Sequence, residues 1–191
     1  MILYFSIIIP AIIIISFINI LLGTSIWGLS PYFSIVAVIA TTLFQFLIDG
    51  LFAFIVNKLP NKWFAMDKKC FQVSDRSRKF YEALKIRKWK DKVWELGGLG
   101  GFRKNKLNDP KSPEYIERFI VESNKGIVTH RIGYFVGFIG IFLFPLKYAL
   151  LIGVPVAVVN LTLNILPTMI LRYNVPKLMI LHTRLTRKKD L

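Results

Sequence analysis

No lysine or arginine occurs before Lys58, and Asp49 is the only charged side chain in that stretch. A secretory signal peptide needs a basic n-region, a shorter apolar core and a small-residue cleavage site. Met1 to Leu22, MILYFSIIIPAIIIISFINILL, lacks the first and overruns the second, so a retained helix is expected there. Cysteine occurs once, at Cys70, which excludes an intrachain disulfide and a Cys-based metal site. A lone thiol in a basic stretch is a candidate for reaction or lipidation, although an ordinary Cys is the simpler account. Histidine occurs only at His130 and His182. The motif His-Glu-x-x-His and the Gly-x-Ser-x-Gly elbow are both missing, so neither a zinc peptidase nor a serine hydrolase of that type is expected, and no metal is.

What remains is apolar and basic. Of the 191 residues 54% are hydrophobic, against about 45–50% in a soluble domain, and the excess lies in blocks. The net charge is +15. In a soluble chain such a charge points to nucleic acid. Here it flanks apolar runs, so anionic membrane lipids are the expected partner and nucleic acid is not. Lys58 to Arg131 holds 19 of the 26 Lys and Arg residues.

The fold class expected is an all-α integral membrane protein. Four transmembrane helices are placed at about 2–22, 32–56, 128–144 and 148–171, since about 20 apolar residues cross a hydrocarbon core. An amphipathic, basic cytoplasmic insert, 57–127, separates the second and third, and a basic tail, 172–191, follows the fourth. The whole, 1–191, is expected to be a single membrane domain. The Gly23 to Pro31 turn carries no Lys or Arg, so the positive-inside rule puts the insert and both termini in the cytoplasm.

Polar residues inside spans are costly and therefore informative. Asp49 either handles substrate or protons, or pairs with a Lys or Arg of another segment near the headgroups. Asn160 and Asn164, one turn apart, are expected to make interhelical hydrogen bonds. Gly133, Gly137 and Gly140 form a close-packing face. Within the insert, Ser74 to Trp94 is expected to be an amphipathic surface helix. The run Gly97-Gly98-Leu99-Gly100-Gly101 beside Arg103, Lys104 and Lys106 is either a phosphate cradle or a plain hinge. Ser112-Pro113-Glu114 starts a helix, with Tyr115, Ile116, Phe119 and Ile120 on one side.

The chemistry centres on His130, since a histidine's ordinary pKa suits a general base near neutral pH. Glu122 lies eight residues earlier, about 12 Å away on a continuous helix. A break at Gly126 would bring it closer to His130; otherwise it pairs with Arg118. Lys88, Lys90, Arg103 and Lys104 are candidates to hold phosphates of an acyl donor. His182, in the basic tail with no carboxylate nearby in sequence, is taken as solvated or interfacial.

Several stretches resemble the family of glycosyl-4,4'-diaponeurosporenoate acyltransferases. They are NKWF (Asn61 to Phe64), RKWKDK (Arg87 to Lys92), a Gly-Gly…Phe-x-Lys run through Phe102 and Lys104, EYIERFIVES (Glu114 to Ser123), Thr129-His130, and Arg172-Tyr173-Asn174 with Pro176. The resemblance implies a bacterial plasma-membrane acyltransferase. It would move a fatty acyl group to a hydroxyl of a lipid-linked or isoprenoid, carotenoid glycoside-like acceptor. His130 and Glu122 would be catalytic, and Arg118, Trp89, Lys90, Lys104, Arg172 and Asn174 would bind substrate. No resident cofactor is implied, only an acyl donor such as acyl-CoA or an acyl carrier. The family pattern Glu-x4-Glu-x2-His-Trp is altered here, with Ile127 at the second acidic position and Arg131 at the Trp. A non-catalytic membrane scaffold or lipid-binding subunit is the rival expectation.

Overall fold

The computed structural model describes residues 2–93, 102, 104 and 107–189. Among these residues the regular structure is entirely helical. The long helices are α1 (Ile2–Ile18), α2 (Pro31–Lys58), α3 (Asp75–Ala83), α4 (Pro113–Val136) and α5 (Val154–Lys189). A π-helical turn at Asn19–Gly23 and a single α-turn at Thr24–Trp27 extend α1. Gly28, at φ 64°, ends that extension, and α2 follows three residues later. A 3-10 stretch, Gly137–Leu143, extends α4. Four helical segments are long and apolar enough to cross a membrane, and the chain is an all-α membrane protein.

The helix that carries the third span, α4, runs unbroken from Pro113 through Gly126. The fourth joins the tail in one helix that ends at Lys189. Pro167 and Pro176 lie inside α5 without ending it.

The described chain forms two compact units. The first comprises Met1–Phe52 and His130–Ile165. Its apolar core is Ile15, Ala37, Val38, Ile152 and Val156. Leu43, Leu47 and Leu51 of α2, one turn apart, are exposed, as an outward face toward lipid requires. Lipid gives no hydrophobic drive between helices, so close approach and polar contacts must hold them. Asn19 Nδ2 donates to Leu151 O at 2.7 Å and Gln45 Nε2 to Gly137 O at 2.6 Å. The glycine stripe of α4 makes room for such contacts. A Cβ on Gly137 would stand 2.8 Å from Asn160 Nδ2, and one on Gly140 would stand 3.2 Å from Gln45 Nε2.

The second unit comprises Ala53–Thr129 and Leu166–Leu191. Ser112 caps α4, its Oγ accepting from Tyr115 N at 3.1 Å. Ile116, Phe119, Ile120 and Ile127 of α4 pack with Phe102 and with Leu171, Val175 and Leu178 of α5. Ser74 caps α3, its Oγ accepting from Ser77 N at 3.2 Å. That helix stops at Ala83 rather than continuing to Trp94, because Lys85 takes a left-handed φ of 52°. One separate turn, Ile86–Trp89, follows.

A clasp in this unit holds the end of the NKWF stretch. Fully buried Asn124 donates Nδ2 to Phe64 O at 2.9 Å, and Lys125 Nζ donates to Asn57 O at 3.3 Å. Asn57 lies in the last turn of α2, where free carbonyls favour a cation. Asn124→Ala would leave the Phe64 carbonyl without its donor. The expected loss is about 1–3 kcal/mol, read as a lower melting temperature in detergent.

Candidate functional site

His130 stands on α4, half-buried, with Nδ1 at 2.9 Å from Asn164 Oδ1. Asn164, buried on α5, sends Nδ2 to Asp49 Oδ2 at 3.0 Å. It also reaches the Asn160 backbone oxygen at 3.1 Å and Asn160 Oδ1 at 3.3 Å. Asn160 in turn donates to Gly133 O at 3.4 Å. Three helices of the first unit thus contribute to one chain of polar groups: Asp49 from α2, His130 and Gly133 from α4, and Asn160 and Asn164 from α5. Polar side chains in a membrane span stay only when paired with one another or with backbone, and these are. Asp49 Oδ1 is the exception. It is buried, with no hydrogen-bond partner among the described residues.

The site depends on the absence of a side chain at Gly133. A Cβ there would meet Asn164 Cγ and Oδ1 at 2.7 Å. The i, i+4 spacing of Asn160 and Asn164 then puts both amides on the face of α5 that meets this glycine. A small, mostly apolar cleft of about 20 Å³ adjoins Asn160, with Ile12, Phe46 and Val159 in its wall and Thr42, Gln45 and Asn160 as polar members. Asn160 therefore belongs both to the cleft and to the polar chain that ends at His130.

The other candidate residues belong to the second unit. Glu122 contacts Lys125 Nζ at 3.5 Å rather than Arg118. The unbroken α4 removes the bend at Gly126 that would have brought Glu122 toward His130. Arg118 instead lies over the Phe102 ring, 5.2 Å from its centroid. Trp89 is half-buried and donates Nε1 to Leu84 O at 3.1 Å. Lys90 pairs with Asp91 at 3.3 Å. Lys104 approaches α4 at Gly126, where an added Cβ would lie 3.2 Å from its Nζ. Arg172 donates Nε to Tyr81 OH at 3.0 Å, and Asn174 is half-buried two residues on. Arg103 and the glycine run 97–101 lie outside the described residues, and so does Trp94.

Asp49 and Asn164 were visible in the sequence but not as partners of His130. Asp49 pairs with an amide, not with the Lys or Arg that one of its two alternatives called for. Asn160 and Asn164 do make the expected interhelical hydrogen bonds, and those bonds are what ties them to His130. The signal was rarity: Asp49 is the only charge in the first 57 residues.

Neither the curated proteins nor the solved structures give a match to the chain. The family described as glycosyl-4,4'-diaponeurosporenoate acyltransferase matches residues 60–184, about two thirds of the chain, including His130, Asn160 and Asn164 but not Asp49. By that match the protein belongs to the glycosyl-4,4'-diaponeurosporenoate acyltransferase family.

Proposed function

We propose that this protein is a bacterial plasma-membrane acyltransferase that esterifies a hydroxyl of a carotenoid glycoside-like acceptor, with His130 as general base. The observation that carries the proposal is the imidazole of His130 bonded to the buried Asn164–Asp49 pair. Acyl transfer needs a hydroxyl made nucleophilic as it attacks. His130 takes the hydroxyl proton while the hydroxyl oxygen forms a C–O bond to the acyl carbon. With a thioester donor the C–S bond breaks, and His130 returns the proton to the leaving sulfur. The basic stretch after Lys58 exposes Trp63, Phe80 and Leu84, which fits contact with anionic headgroups from the cytoplasmic side. Both termini are then cytoplasmic.

Two observations favour a second reading, a non-catalytic lipid-binding scaffold. Ile127, at an acidic position of the family pattern, is wholly buried, and Glu122 is engaged by Lys125. Cells that make glycosyl-4,4'-diaponeurosporenoate separate the two. Lipid extracts from cells carrying wild type, His130→Ala or empty vector are compared by mass spectrometry for the acylated product. Wild type is expected to make it, and His130→Ala at equal membrane level to make about 10²- to 10⁴-fold less. Undiminished product from His130→Ala removes the base. No product from wild type favours the scaffold.

A further inference from the structure

The orientation of one amide decides which nitrogen of His130 can act as base. The Nδ2 hydrogens of Asn164 face the Asp49 carboxylate at 3.0 Å and the Asn160 backbone oxygen at 3.1 Å, both of them acceptors. Turning the amide over would set its oxygen against those oxygens. Asn160 is itself oriented by donating to Gly133 O, which leaves its own Oδ1 toward Asn164 at 3.3 Å. The orientation is therefore fixed from two helices. Asn164 Oδ1 then faces His130 Nδ1 at 2.9 Å. An amide oxygen only accepts, so Nδ1 must carry the hydrogen, and the lone pair of the neutral ring lies on Nε2.

We propose that Asn164, held by Asp49 and Asn160, is a positioning residue that sets His130 in the Nδ1–H tautomer, so that Nε2 receives the acceptor's proton. The inference rests on His130 being the base, but the tautomer is a property of the protein without substrate. Asp49 acts at one remove. Its carboxyl oxygen, accepting from Asn164 Nδ2, holds the amide in place.

The chain is suited to a direct test, because it contains only two histidines. In full-length protein labelled with 15N-histidine in lipid nanodiscs, His182→Gln leaves a single imidazole to observe. At a pH where the ring is neutral, His130 is expected to show a protonated Nδ1 and an unprotonated Nε2. Asn164→Ala removes the acceptor, and the Nε2–H form is expected to become the major one. Asp49→Asn keeps an oxygen to accept from Asn164 Nδ2 and is expected to keep Nδ1–H. If Asn164→Ala does not fold, wild type and Asp49→Asn still decide the matter. An Nε2–H ring in wild type, or an unchanged ring in folded Asn164→Ala, overturns the proposal.

Activity supplies an independent reading. In membranes of the cells described above, with palmitoyl-CoA as probe donor, Asn164→Ala is expected to lower kcat about 10- to 100-fold with KM changed less than about twofold. A rise in KM with kcat unchanged would make Asn164 a substrate-binding residue and overturn the positioning role. A fully active His130→Ala variant alongside the expected tautomer would remove the base and leave the geometry standing. An inactive His130→Ala variant with the wrong tautomer in wild type would do the reverse.

Discussion

Ile127→Glu is expected to lose a large share of the protein's stability, although glutamate is the residue that the family pattern would put there. Ile127 has no exposed surface and packs among Phe119, Ile120, Leu171 and Val175. Glutamate at this place gives up the apolar contacts and brings a carboxylate into an apolar cluster. An uncompensated buried charge costs about 3–5 kcal/mol. That is a large share of the roughly 5–15 kcal/mol that holds a domain together. Ile127→Val removes one methylene and is expected to cost about 0.5–1.5 kcal/mol, which makes it the matched control. Thermal unfolding in detergent measures both, and the fraction recovered from membranes should follow. A glutamate variant melting close to the valine variant would show that the site accommodates charge. The expected loss means that the acid cannot be restored as a helper for His130 by a single substitution. The surrounding core would have to change with it.

Gly133→Ala is expected to cost both stability and activity. The new methyl would stand 2.7 Å from Asn164 Cγ and Oδ1 and 2.8 Å from Nδ2. The amide has no easy retreat, because Asp49, Asn160 and His130 each hold it by a hydrogen bond. Overpacking of this kind costs about 1–3 kcal/mol. The displaced amide also releases His130, so acyl transfer should fall about as far as in Asn164→Ala, 10- to 100-fold. Gly50 on α2 provides the contrast, since nothing lies within 4 Å of a Cβ built there. Gly50→Ala gains helix propensity of about 1 kcal/mol and is expected to leave product formation unchanged. Lipid extracts and melting curves for the pair decide the point. Equal activity in the two variants would show that the amide tolerates displacement.

The bundle was legible because its signals are local. A charge-free run of membrane-spanning length reads as a helix without reference to anything distant, and Ser74 and Ser112 mark helix starts by their own side chains. The end of α3 was not legible. Lys85 takes a left-handed backbone with no glycine to announce it. Glu122 was misassigned to Arg118 because i, i+4 spacing favours that pair on an isolated helix. Lys125 takes it instead, at i+3, and is held in place by a carbonyl 68 residues earlier in the chain. The site was half legible for the same reason. His130 stands out by its chemistry, but Asn164 lies 34 residues after it, and Asp49 lies 115 residues before Asn164. Nothing in the local pattern of any of the three records such a meeting.

The clasp at Asn124 and Lys125 also sets a schedule for biosynthesis. The carbonyls it holds, at Phe64 and Asn57, leave the ribosome 60 and 68 residues before their donors. At about 5–20 residues per second, that separation is roughly 3 to 14 s. For those seconds the segment after α2 has neither donor, and its tryptophan, phenylalanine and many lysines have only the membrane surface to rest on. Closure of the clasp therefore waits until the start of the second helical pair has been made.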